Sequence, residues 1–62
     1  MQVNPIDVQK NLKGLSYPAS RDELVITAEE NGAEDELIDE LRDLDEDTFE
    51  SPTDVMKALA GH

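Results

Sequence analysis

The clearest pattern in the chain lies at Leu37, Ile38, Leu41 and Leu44, apolar positions spaced i, i+1, i+4 and i+7 among acidic neighbours. That spacing repeats on one side of a helix and predicts an amphipathic helix over about 34–44. Shorter stripes flank it. Val8 and Leu12 fall on one face, as do Leu24, Val25 and Ala28, and as do Val55 and Leu59. They predict further helices over about 5–13, 21–31 and 52–60. The stretch Leu24-Val25-Ile26-Thr27 has β-character, but only eleven residues separate a helix-capping group before it from the helix terminator Gly32. A helix is the better reading there. At 100° per residue Ile26 points about 200° away from Leu24, off the inward stripe.

Local start and stop signals agree with this pattern. Asn4 can cap the first helix, Pro5 suits its first position, and Asp7 complements the positive end of the helix dipole. Val3 and Val8 have the spacing of a hydrophobic staple, and Gly14 suits a left-handed stop. Ser20-Arg21-Asp22-Glu23 reads as a capping box, with Ala19 and Leu24 as a small staple. Glu34, Asp35 and Glu36 crowd the favourable first turn of the third helix. Ser51-Pro52 opens the fourth. Tyr17-Pro18 requires an extended link, and residues 45–48 read as loop. The expected fold is all-α, one small domain over 1–62. Its expected core is Val8, Leu12, Leu15, Leu24, Val25, Ala28, Leu37, Ile38, Leu41, Leu44, Phe49, Val55 and Leu59.

The two end helices are written almost alike, NPIDVQKNLKG over 4–14 and SPTDVMKALAG over 51–61. Each shared letter except Lys10/Lys57 has a helix-making reason: cap, Pro at the first position, Asp at the third, apolar residues at the fourth and eighth, and a closing Gly. The repeat therefore concerns architecture. It carries no catalytic group.

Charge alters the picture more than composition does. Sixteen acids face five bases, a net of −11, and residues 22–54 hold fifteen of those acids with only Arg42, a net of −14. Such a field repels phosphates and anionic lipid, so direct nucleic-acid binding is not expected. Adaptation to concentrated salt would account for the same surface, because at molar salt the Debye length falls to about 3 Å and self-repulsion largely disappears. Cysteine is absent, which removes disulfides and thiolate metal sites. No apolar run approaches the ~20 residues of a membrane span. No secretory pattern opens the sequence, so a soluble cytoplasmic protein is expected.

Candidate chemistry is sparse. Nucleophilic catalysis lacks cysteine, and the one histidine, His62, is terminal. No enzyme activity and no cofactor are expected. Asp43, Asp45, Asp47, Ser51 and Asp54 do follow the spacing of a helix–loop–helix calcium site, with Phe49 at the backbone-ligand position. Thr48 stands where that loop needs Gly, Asp54 is shorter than the usual bidentate Glu, and helix capping explains Ser51, Pro52 and Asp54 equally well. The second and third helices, joined by Asn31-Gly32-Ala33, have the outline of a helix-turn-helix. The acids of the helix in the reading position would mimic DNA rather than read it. Tyr17 and Phe49 precede the caps of the second and fourth helices, where core or rim packing is expected.

Taken end to end, NPIDVQKNLKGLSYPASRDELV, the turn AEENGAEDELIDEL and the tail FESPTDVMKAL resemble a family of small bacterial proteins known only as a domain of unknown function. Its members share an NPI-x-x-QK-x-L-x-G-x-x-YPA opening and a late aromatic-x-SP-x-DV segment. The resemblance covers roughly residues 3–60 and implies a compact helical fold, without an activity or a site. This chain departs from it in its acidity. The functional expectation is a non-enzymatic protein–protein interaction or regulatory module, acting on an unknown protein partner or a second copy. Ile6, Ile26 and Met56, off or at the edge of their inward stripes, are its candidate contacts. A calcium-binding acidic module and a nucleic-acid-mimicking inhibitor are the alternatives.

Overall fold

The computed structural model describes residues 4–61. Six elements follow in order: α1 (Pro5–Asn11), β1 (Ala19–Ser20), α2 (Arg21–Glu30), α3 (Asp35–Arg42), β2 (Thr48–Phe49) and α4 (Pro52–Ala60). Four helices therefore stand where the apolar stripes place them, including α2 through residues 24–27. Val3 of the expected staple, and His62, lie outside the described residues.

The start signals act as their chemistry requires. Asn4 Oδ1 accepts from the Ile6 N–H at 2.9 Å. Ser20 Oγ accepts from the Glu23 N–H at 3.1 Å while Glu23 Oε1 accepts from the Ser20 N–H at 2.9 Å, a complete capping box. Ser51 Oγ accepts from the Asp54 N–H at 3.4 Å, and Asp54 Oδ2 reaches back to the Glu50 N–H at 3.3 Å. Of these four helices only α3 lacks a side-chain cap, Glu34 filling that position. The turn from α2 to α3 closes with the Ala33 N–H on the Ala28 carbonyl at 2.9 Å and the Gly32 N–H on the Glu29 carbonyl at 3.1 Å. This is a Schellman turn, and its left-handed position falls on Gly32, φ +79°.

The expectation of a purely all-α chain is corrected: the molecule is mostly helical but carries a two-stranded antiparallel sheet. Ala19 pairs with Phe49 and Ser20 with Thr48. Ala19 and Phe49 sit just before α2 and α4 and are buried at 1 % and 0 % exposure. Burying both draws the two incoming links side by side, and the backbone groups buried with them need partners, which each supplies to the other. Thr48, expected in the loop, thus belongs to β2. The Tyr17–Pro18 peptide bond is cis.

Three helices fall short of expectation, α2 only by one residue, at Glu30 rather than 31. α1 stops at Asn11 rather than near 13, because its last turn tightens into i→i+3 bonds, Leu12 N–H to Gln9 O at 3.3 Å and Lys13 N–H to Lys10 O at 3.4 Å. α3 spans Asp35–Arg42 rather than 34–44, with Asp43 as its C-cap.

One apolar cluster joins all six elements, from Val8 and Leu12 through Leu24, Leu41 and Phe49 to Val55 and Leu59. Leu15, expected inside, is only partly buried against it, and Ala19 takes a core position instead. α2 and α3 make the most extensive pairing. α1 packs chiefly on α2, and α4 chiefly on β2.

The repeated ends are alike where the core reads them. Val8 and Val55 are each 1 % exposed, and Leu12 and Leu59 each 7 %. They part at the closing glycines: Gly14 is left-handed at φ +89°, whereas Gly61 has φ −87°.

Candidate functional site

The polar side chains that define this surface are held by contacts between distant parts of the chain. Arg21, first residue of α2, donates from Nη1 to the Leu44 carbonyl at 2.6 Å and pairs through Nη2 with Asp47 at 3.5 Å. Its backbone N–H also donates to the Asp47 carbonyl at 2.9 Å. The acidic loop is thus fastened to α2 by a residue from the least acidic part of the sequence. Asn31 makes a second fastening, donating from Nδ2 to the carbonyls of Asn11 at 2.7 Å and Lys13 at 3.2 Å. It satisfies carbonyls at the end of α1 that the short helix leaves open.

These fastenings bear on the calcium-spaced residues. Asp47 faces Arg21, and Ser51 and Asp54 serve the start of α4. Asp45 is exposed, and Asp43 caps α3. Phe49, at the backbone-ligand position, lies in β2. Among the described residues no group of three or more His, Asp or Glu side chains is placed to hold a metal ion.

Nor is any polar or charged side chain buried among the described residues. Burial pushes the Tyr17 phenol above its ordinary value.

Three surface depressions stand out among the described residues. The largest of them, about 570 Å³, runs between α1 and α3 and is polar, lined in part by Asp7, Lys10, Asn31, Glu34 and Glu36. A second, about 420 Å³, is formed by Arg21, Asp22, Val25, Ile26 and Arg42. Here Ile26, 53 % exposed, shares the depression with both arginines of the chain. Arg42 is steadied by Glu29 at 3.4 Å. The third, about 290 Å³, is a slot between α1 and α4. Val8, Leu12 and Val55 form its floor; Gln9, Leu15, Tyr17, Pro52 and Met56 complete its lining. No charged residue lines it.

The three candidate contact residues are therefore not one patch. Ile26 belongs to the arginine-flanked depression and Met56 to the slot. Ile6, 73 % exposed on α1, lines none of the three. The periodicity of α2 indicates that Ile26 faces outward. The arginines around it come from positions 21 and 42, and no local signal relates them.

No helix among the described residues is long and apolar enough to cross a membrane. No curated protein and no solved structure matches the chain. Residues 3–56 match the family described as "Protein of unknown function (DUF2795)", and with most of its length so matched the chain belongs to that family.

Proposed function

We propose that the chain is a non-enzymatic protein–protein interaction or regulatory module, working in a salt-rich cytoplasm without a cofactor. The observation that carries this reading is Ile26. A large aliphatic side chain, 53 % exposed, lines one depression with Asp22, Val25 and two arginines that internal partners hold in place. Aliphatic surface beside arginine is the composition of interface cores, where the guanidinium supplies directional bonds and its stem supplies apolar area. Arg21 and Arg42 also lower the local density of negative charge, so a partner can approach there without meeting only carboxylates. Direct nucleic-acid binding is disfavoured by the same charge that surrounds the site.

The test is affinity capture from the native cell at native salt, with wild-type protein and Ile26→Glu side by side. A partner retained by the first and lost from the second, with matching thermal melts, is the expected result. Equal retention by both, or retention of nothing, would remove Ile26 from the proposal. A DNA-binding protein as the retained partner would turn the reading towards mimicry.

A further inference from the structure

We infer that Asn31-Gly32 is a self-modification site, where loss of the Asn31 amide nitrogen unfastens α1 from α2, and that docked α1 holds the site closed. The inference is independent of Ile26.

The chemistry needs only the chain and water. The Gly32 backbone nitrogen bonds to Asn31 Cγ as the Cγ–Nδ2 bond breaks, and the amide leaves as ammonia with the Gly32 proton. One water then opens the resulting succinimide. Opening at Cγ leaves aspartate. Opening at the backbone carbonyl leaves isoaspartate, with the main chain rerouted through the side chain. The reaction is easiest where the following residue has an N–H and no Cβ to crowd the attacking nitrogen.

Of the three asparagines in the sequence, one meets that condition. Asn4 precedes Pro5, whose nitrogen carries no proton. Asn11 precedes Leu12, a buried branched residue whose N–H donates to the Val8 and Gln9 carbonyls. Asn31 and Gly32 are both exposed, and a Cβ added at Gly32 would meet nothing within 4 Å. The ring has room to form. The fold itself calls for this reactive pair. Gly32 supplies the left-handed turn at φ +79°, and Asn31 supplies the donors that hold the end of α1.

Those same contacts restrain the reaction. Asn31 Nδ2 is spent on the Asn11 and Lys13 carbonyls at 2.7 and 3.2 Å, and the Gly32 N–H on the Glu29 carbonyl at 3.1 Å. Ring closure must swing the side chain onto its own backbone and free the Gly32 nitrogen, so all three bonds must break. The rate then follows the fraction of molecules in which α1 has lifted.

Modification makes that release permanent. An ionised carboxylate only accepts hydrogen bonds, and it would face two carbonyl oxygens where an amide donated. The loss falls on a helix of seven residues that packs chiefly on α2 and is too short to stand alone. Isoaspartate also lengthens the main chain inside the turn that the Gly32 and Ala33 N–H groups close.

Mass-spectrometric peptide mapping of the full chain, incubated at mildly alkaline pH in buffer and in denaturing urea, tests this directly. The expected result is amide loss at Asn31 and at neither other asparagine, slower in buffer than in urea by about tenfold or more. Val8→Ala, in the buried face of α1, should speed it about tenfold in buffer and leave the rate in urea unchanged. Asn31→Gln keeps amide donors on a longer side chain that closes a ring far less readily, and should stay unmodified. Asn31→Asp stands for one product, and should raise amide hydrogen exchange over residues 5–13 more than over α3. Equal rates in buffer and urea overturn the gating by α1, as does a Val8→Ala rate equal to that of wild type. An Asn31 that stays intact in urea overturns the site. Wild-type exchange over α1 in Asn31→Asp overturns the release.

Discussion

Arg21 Nη1 donates to the carbonyl oxygen of Leu44 at 2.6 Å, joining the first residue of α2 to a position beyond the end of α3. The bond is charge-assisted and partly buried, so it outweighs the exposed ion pair of the same guanidinium with Asp47. Arg21→Ala should cost about 1.5–3 kcal/mol, near the lower end because the site is partly hydrated. Asp47→Asn should cost under about 0.5 kcal/mol. Urea unfolding of the two variants checks the order. Equal losses would mean that the ion pair, and not the carbonyl bond, fastens the loop.

Leu41 is fully buried, at 0 % exposure, where α3 meets the core. Leu41→Ala should destabilise by about 2–5 kcal/mol, the cost of lost transfer energy plus a cavity. Denaturant melts measure it, and a loss below about 0.5 kcal/mol would show that α3 does not anchor the core.

The repeated termini predict opposite responses to one substitution. Gly14 has φ +89°, and a Cβ added there would meet nothing within 4 Å, so Gly14→Ala should cost about 1–2 kcal/mol from backbone conformation alone. Gly61 lies at φ −87°, and an added Cβ would make an ordinary contact with the Lys57 carbonyl at 3.5 Å. Gly61→Ala should be neutral, or stabilising by up to about 0.5 kcal/mol, through a less flexible unfolded chain. Thermal melts of the pair decide whether the two ends are equivalent.

Stability should rise with salt. The net −14 of residues 22–54 repels itself in dilute buffer, and screening relieves that repulsion. A melting temperature unchanged between dilute buffer and molar KCl would show that charge does not limit the fold.

Tyr17 should make stability fall at alkaline pH. Burial raises the phenol above its ordinary value, so the folded chain holds this proton where the unfolded chain, at about 10, releases it. The contribution is complete below about pH 10 and is lost as pH rises through the folded value. Tyr17→Phe should lose stability less steeply than wild type over that range. Parallel pH profiles in urea melts would mean that the phenol is as hydrated folded as unfolded.

Three helix starts were legible in the sequence because capping is local chemistry: Asn4, Ser20 and Ser51 each act on an N–H two or three residues away. The inward stripes were legible too, since a 3.6-residue period sorts Leu24, Leu37 and Val55 inward and Ile26 outward without reference to any other helix. Net charge and its concentration after residue 21 are properties of composition alone. Helix ends were less legible, because the tight last turn of α1 depends on how the following link runs. Ala19 with Phe49, Arg21 with Leu44 and Asn31 with Asn11 are separated by twenty or more residues. No periodic pattern encodes such partners; they meet only when the core brings their elements together. The slot has the same origin. Val8 and Val55 each read as a core residue, and only the placement of α1 on α2 and of α4 on β2 leaves an uncharged opening between them.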